Sequence, residues 1–480
     1  MGWSYSGVAV NVALQLAASV VFARLLGAHT IGVFAFGLLV FPPFRFICEF
    51  GLGSALVQKQ DLASVDVELA LSRSVILALI TAAAWVLCVH ALAPSMHQQQ
   101  YAPALSCFAL VLLCLPLQTL CTAVLTRKLE QKYLQISSLV GYAAGYLSVG
   151  VYGALHEWGV WSLMLGFLAQ NLIATAILLV HTRLELRLRL KGDAGFLWRF
   201  GARAAAINIS NWLTSSLDNM AVAWFFGTRP LGVYSVAYGL VRAPADRIVT
   251  TLQNVLFPAS VLARNDTERL AKGCIAVIDA TFLIVAPAFC AVAILSVTII
   301  DALYGSDWRQ AAWLLPPLAL SMIFHCLTVV VSALLWGSGG VNRDLRIQWC
   351  SAAAFLIGVL LAGRVSLVAV AWTVLPVTVL RAAWGMSALV TTVGIAPRRL
   401  LSAFLSGLIL AALIAPALFW LDGFFQRALL SSIARLSWDV VAAALAWLGL
   451  AALLRARIMT PELQTGLRSM LVALKEKHRA

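Results

Sequence analysis

The sequence predicts an all-α polytopic membrane protein of about fourteen transmembrane helices, two six-helix lobes in a parallel repeat followed by two further helices. Three observations carry that fold class. The 480-residue chain is 62% hydrophobic and 11% charged, with a mean hydropathy of +0.92, whereas soluble domains are about one-quarter charged. Apolar runs of the roughly 20 residues that a bilayer crossing requires recur from end to end. Lysines and arginines gather in alternate connections, the asymmetry expected of cytoplasmic loops. No stretch between the apolar runs is long enough to bury a core of its own, which excludes soluble enzymes, secreted disulfide modules and nucleic-acid readers.

The first run, Trp3 to about Leu26, has neither a basic leader nor a cleavage site and is read as a retained span. The others lie at about 31–50, 72–94, 103–125, 135–155, 159–181, 205–226, 232–257, 273–300, 312–336, 347–362, 367–393, 401–421 and 439–456. Grouped by order they give an N-terminal lobe over 1–190, a second lobe over 191–395, an added helix pair over 396–457 and a basic tail over 458–480. With the amino terminus inside, 24 of the 34 Lys and Arg fall in inner segments. Only Arg229, Arg309, Arg364, Arg427 and Arg435 fall in outer ones. Both termini are therefore expected in the cytoplasm. The net charge of +14 is a topology signal directed at anionic lipid, with no nucleic-acid partner.

Nine cysteines, an odd number without a C-x-x-C pair, indicate neither a disulfide framework nor a zinc site. Cys107, Cys114 and Cys121, seven apart, read as small packing residues on one helical face.

An internal repeat organises the chain. Ala23-Arg-Leu-Leu-Gly27-x3-Ile31-Gly32-Val33-Phe34 recurs without a gap as Ala223-Trp-Phe-Phe-Gly227-x3-Leu231-Gly232-Val233-Tyr234, and Asn11 matches Asn211 at the same offset of 200. Spans 1–2 thus resemble spans 7–8 in order and sidedness. Six spans per half is an even number, so both halves start on the same side, as suits alternating access.

Ionisable residues inside spans are costly and mark interiors or wet cavities. They concentrate in the repeated helices. Arg45 and Glu49 stand four apart on span 2, and Arg242 and Asp246 four apart on span 8 with Arg247 beside them. Asp218, Asp279 and Arg381 lie in spans 7, 9 and 12, and Arg24 near the outer end of span 1. Asn208, Asn211, Ser215 and Asp218 form one polar stripe on span 7, and Ser4, Asn11 and Gln15 another on span 1. The guanidinium fork grips phosphate oxygens in a bidentate way, so Arg45, Arg242 and Arg247 are candidates for holding a phosphate-bearing substrate, with Asn11, Gln15 and Asn211 of the polar stripes as further candidates. Arg24 lies away from the Asn11–Gln15 face and close to the outer end, where snorkelling accounts for it. Asp218, Asp246, Asp279 and Glu49 are the candidates for coupling to a proton or sodium gradient, with no bound cofactor or metal. His325, near the middle of span 10, reads as packing. Pro42, Pro43, Pro244, Pro258, Pro287, Pro316 and Pro317 interrupt spans 2, 8, 9 and 10 and are candidate kinks or hinges.

At these residues the chain resembles the polysaccharide exporters of the multidrug/oligosaccharidyl-lipid/polysaccharide superfamily, in the Wzx-type branch of colanic and teichuronic acid exporters. The strings that carry the resemblance are Ala23-Arg-Leu-Leu-Gly-x3-Ile-Gly-Val, Glu49-Phe-Gly-Leu-Gly-Ser-Ala-Leu-Val-Gln-Lys-Gln-Asp61, Ser216-Leu-Asp-Asn-Met-Ala-Val222, Gly232-Val-Tyr-Ser-Val-Ala-Tyr238, Leu256-Phe-Pro-Ala259 and Tyr304-Gly-Ser-Asp-Trp308. The resemblance implies a V-shaped helical fold and a flippase moving polyprenyl-pyrophosphate-linked oligosaccharide units across a bacterial inner membrane. It also implies cavity arginines on spans 1, 2 and 8, which fit Arg24, Arg45 and Arg247 or Arg242. The second-half string has Trp224 where the first has Arg24, which assigns the arginine role mainly to the first lobe. A polysaccharide polymerase and glycosyltransferases of the pathway are the expected partners. The other readings are a multidrug/cation antiporter of the same superfamily and a membrane polymerase, ligase or acyltransferase. The basic cleft counts against the first, and the short outer loops and lack of an acid/base pair against the second.

Overall fold

A computed structural model describes residues 2–453, apart from 60–63, 96–98, 184–186, 188, 190–191, 193–194, 263–266, 339, 395 and 428–430. The expected basic tail over 458–480 lies outside the described residues. The described chain contains helices and no strand. In order these are α1 (Gly2–Glu49), α2 (Leu52–Gln58), α3 (Ser64–Ser95), α4 (Ala102–Ser106), α5 (Phe108–Arg127), α6 (Gln131–Val140), α7 (Gly150–Leu155), α8 (Val160–Thr182), α9 (Gly195–Phe226) and α10 (Thr228–Leu262). Then follow α11 (Thr267–Ile294), α12 (Ser296–Leu303), α13 (Arg309–Gly337), α14 (Val341–Ala362), α15 (Leu367–Val393), α16 (Pro397–Arg427) and α17 (Ser432–Leu453). A π-helical stretch, Gly141–Val149, joins α6 to α7 into one span.

Among the described residues, every predicted span falls on helix, in the predicted order. Eleven helices among the described residues are long and apolar enough to cross a bilayer on composition alone, which makes this a multi-pass membrane protein. The first of these, within α1, is two spans joined at an elbow, because Gly27 leaves the helical conformation at φ 73, ψ 169. Gly27 is the one break in α1, which runs on through Pro42 and Pro43. The two long helices outside the apolar set, α9 and α10, carry the polar stripe and the charged Arg242–Asp246 face read from the sequence.

The chain forms two compact units, Met1–Ser235 and Val236–Ala480. In the first, Phe41, Trp85, Phe108 and Phe167 meet mostly edge-to-face at centroid distances of 4.9–6.2 Å, the geometry aromatic quadrupoles favour. The buried Trp85 indole donates to the Leu105 carbonyl at 2.9 Å, so its one polar atom is satisfied.

The repeat is visible in this unit's backbone. Gly227, between α9 and α10, repeats the Gly27 elbow with φ 82, a region in which a Cβ is strained. Five residues beyond each elbow the chain comes together: a Cβ on Gly32 would lie 1.8 Å from the Thr228 carbonyl oxygen, and one on Gly232 would lie 2.1 Å from that of Ala28. Only hydrogen at both positions permits the two segments to approach this closely.

The second unit is built around α13, the most buried helix, with α11 and α15 against it and α16 against α11. Its buried polar groups are mostly matched to donors. Asp344 accepts from the Ser332 hydroxyl and the Trp336 indole, both at 2.8 Å.

Candidate functional site

In the first unit, a cavity of about 670 Å³ opens where the end of α1, the short α2, the last turns of α5 and the start of α9 converge. That volume falls within the range of about 300–1,000 Å³ usual for ligand sites. Arg45 and Glu49 line it together with Ser54, Gln58, Gln118, Thr119, Thr122, Thr126 and Asn208, and Phe46 and Phe200 supply apolar walls. The lining is therefore one guanidinium, one carboxylate and a set of neutral amides and hydroxyls, donors and acceptors suited to phosphate and sugar.

Local sequence explains how the wall is held. On α5, Gln118, Thr122 and Thr126 recur every fourth residue and share a face. Thr122 returns its hydroxyl proton to the Gln118 carbonyl at 2.7 Å, a habit that lets hydroxyls survive within an apolar helix. Arg127 leaves the same helix and donates to the carbonyls of Leu56 at 2.8 Å, Val57 at 3.3 Å and Lys59. It thereby caps the carboxyl end of α2, where a cation is favourable, and fixes the cavity floor.

Arg45 Nε reaches Glu49 Oε1 at 2.7 Å, with the Arg45 side chain half exposed. An exposed i,i+4 pair is worth only about 0.3–0.5 kcal/mol, so a phosphate oxygen can replace the carboxylate at little cost. Arg242, in the second unit, is held more firmly. Its Nε donates to both Asp246 oxygens at 2.8 and 2.9 Å, and Nη1 donates to the Tyr238 hydroxyl at 2.7 Å. The sequence placed both arginines with i,i+4 partners, and the structure separates an available guanidinium from a committed one.

Other candidates fall as follows. Arg24 is exposed and Arg247 half-buried. Asn11 and Gln15 do not line the cavity: Gln15 donates to Asn11 at 2.7 Å, and Asn11 donates to Ser138 on α6 at 3.3 Å. Asn211 is exposed on α9. Buried Asp218 accepts from the Tyr234 hydroxyl at 2.9 Å and from the Asn219 backbone N–H at 2.8 Å, tying α9 to α10 across the Gly227 elbow. Buried Asp279 accepts from Ser406 at 2.5 Å.

Asp246 differs from the other carboxylates because His325 Nε2 lies 3.7 Å from its Oδ1. His325, read from the sequence as packing, lies on α13 with this carboxylate of α10 beside it. Nothing in the periodicity of α13 marks it, since its partner comes from α10. The Gln118–Thr126 face was also missed, although its fourfold spacing was legible.

A family model described as "Polysaccharide biosynthesis protein" matches residues 21–313. The chain is similar to the lipopolysaccharide biosynthesis protein WzxC of Escherichia coli (strain K12), 20% identical over 368 residues that cover 76% of this chain and 74% of that one. It is 24% identical over 347 residues to the succinoglycan biosynthesis transport protein ExoT of Rhizobium meliloti (strain 1021), covering 71% and 69% of the two. Among solved structures, lipid II flippase MurJ in an inward closed conformation superposes with a TM-score of 0.76, at 14% identity, over 95% of this chain and 99% of that one. That last likeness is one of fold.

Proposed function

The chain belongs to the polysaccharide biosynthesis protein family, and from that premise we propose that it flips polyprenyl-pyrophosphate-linked oligosaccharide repeat units across a bacterial inner membrane. The units supply surface polysaccharide synthesis, and the termini face the cytoplasm. The observation that carries the reading is a half-exposed Arg45 opening, beside Glu49, into a cavity lined by amides, hydroxyls and the apolar walls of Phe46 and Phe200. A bidentate guanidinium suits the pyrophosphate, neutral hydrogen-bonding groups suit a glycan, and the surrounding bilayer suits the polyprenyl chain. Arg242, in the second unit, is held by Asp246 and Tyr238. The step is a translocation by alternating access, and no covalent bond changes. A polymerase and glycosyltransferases of the pathway would deliver and consume the same lipid-linked unit.

Mass spectrometry of lipid extracts from a deletion strain tests this reading. A polyprenyl-pyrophosphate-linked repeat unit accumulates and remains on the cytoplasmic face. Accumulation on the outer face would assign the protein to polymerisation, and altered drug tolerance without accumulation would assign it to efflux.

We propose Asp246 with His325 as the pair that couples transport to the proton gradient, because the imidazole is the side chain whose charge changes nearest neutral pH and Arg242 holds Asp246 beside it. Asp246→Asn and His325→Gln are each expected to flatten the dependence of vesicle uptake on an imposed pH gradient, with binding retained. Unchanged gradient dependence in both variants excludes the pair.

A further inference from the structure

A second group of carboxylates lies away from this machinery, at the turn between α16 and α17. Asp422, near the end of α16, accepts from Thr298 Oγ1 of α12 at 2.6 Å and from Arg435 Nε and Nη2 of α17 at 3.1 and 3.0 Å. Arg435 also donates to Thr298. One turn along α17, Asp439 is fully buried, and neither of its oxygens has a hydrogen-bond partner among the described residues. Its neighbour is the Asp422 carboxylate, which can only accept.

The electrostatics are incomplete as they stand. Among the described residues, two carboxylates and one guanidinium leave one negative charge, and it falls on the oxygens that lack a donor. A buried carboxylate without a counter-charge is strongly unfavourable. The nearby carboxylate on α12, Asp301, is paired with Arg309 at 3.3 Å, and Asp279 on α11 is held by Ser406. Neither supplies compensation. Two carboxylates and a hydroxyl form an all-oxygen set, which suits a hard cation or a proton.

We propose that Asp439 and Asp422, with Thr298, form a binding site for one monovalent cation, a proton or a sodium ion, that fastens the α16–α17 hairpin to α12. The observation that points to a ligand is the sealed, partnerless Asp439 carboxylate facing a second carboxylate. The proposal is independent of the transport reading. It concerns helices outside the repeated pair and is measured without substrate.

The experiment uses the full-length protein in lipid nanodiscs, with unfolding followed by tryptophan fluorescence. Sodium chloride is exchanged for choline chloride at fixed pH, and pH is then stepped in choline chloride. A ligand bound only by the folded state raises Tm with its concentration. The wild type is expected to gain about 2 °C or more from one of the two cations, and the isosteric neutral variant Asp439→Asn to lose that dependence. A response to sodium alone identifies a sodium site. A response to acid alone identifies a proton shared between the carboxylates, and a protonated-carboxyl infrared band absent from Asp439→Asn accompanies it. If Asp439→Asn fails to accumulate, Thr298→Val is expected to weaken the effective cation roughly tenfold by removing one neutral oxygen. A wild type indifferent to both cations, or variants with wild-type dependence, overturns the site.

Discussion

Arg45→Ala is expected to lower transport of a polyprenyl-pyrophosphate-linked oligosaccharide by about 10–100-fold, with protein abundance unchanged. Hydrogen bonds to a charged group contribute about 1.5–3 kcal/mol, which converts to that range at about 1.4 kcal/mol per tenfold. The folded state loses little, because the Arg45–Glu49 pair is half exposed and weak. Arg45→Lys separates charge from shape, since a lysine keeps the positive charge and loses the planar fork. Partial activity in Arg45→Lys with none in Arg45→Ala is the expected order. Glu49→Gln, which removes only the exchangeable carboxylate, is expected to retain transport. Fluorescent lipid-linked oligosaccharide in reconstituted vesicles measures all three, and wild-type flipping by Arg45→Ala would remove the arginine from the site.

Gly232→Val is expected to have the second large effect, through the fold. Even the first added carbon would lie 2.1 Å from the Ala28 carbonyl oxygen and close to the Gly32 backbone, where no rotamer can move it away. The neighbouring atoms are backbone, so the segments must separate. Overpacking of this kind costs about 1–3 kcal/mol at a minimum, and separation also costs the contacts made by the adjoining residues. The expected result is a marked fall in membrane-inserted protein or, where the chain still accumulates, a lower Tm and little transport. Gly239→Ala on the same α10 is the control, because a Cβ there meets nothing within 4 Å. Equal behaviour of Gly232→Val and Gly239→Ala in thermal unfolding would show that the close approach is unimportant.

The fold was largely legible because a bilayer leaves so few ways to satisfy a backbone. Length and hydropathy sufficed to order the helices among the described residues, and the repeated Gly27 and Gly227 stand at both elbows. Within one helix, side-chain pairing was equally legible: Arg45 with Glu49 and Arg242 with Asp246 follow from a spacing of four. Pairing between helices was not. Tyr234 meets Asp218 only because an elbow turns α10 back along α9, and His325 meets Asp246 only through the packing of α13. Asp422 and Asp439 flank a connection that reads from sequence as an outer loop, so nothing marked them as neighbours. The cavity wall on α5 shows a different limit. Its threonines are tolerated in an apolar helix by bonding their own backbone, so their presence alone does not distinguish a binding face from a packed one.

The glycine contact is also reciprocal. Gly32 faces Thr228 and Gly232 faces Ala28, and positions 28 and 228, like 32 and 232, are equivalent in the repeat. The contact is thus self-complementary, each side presenting the same surface to the other, as identical subunits do across a two-fold axis. Such an interface couples residues in crossed pairs: room made for a larger side chain at 32 has to be found at 228, and room for one at 232 has to be found at 28.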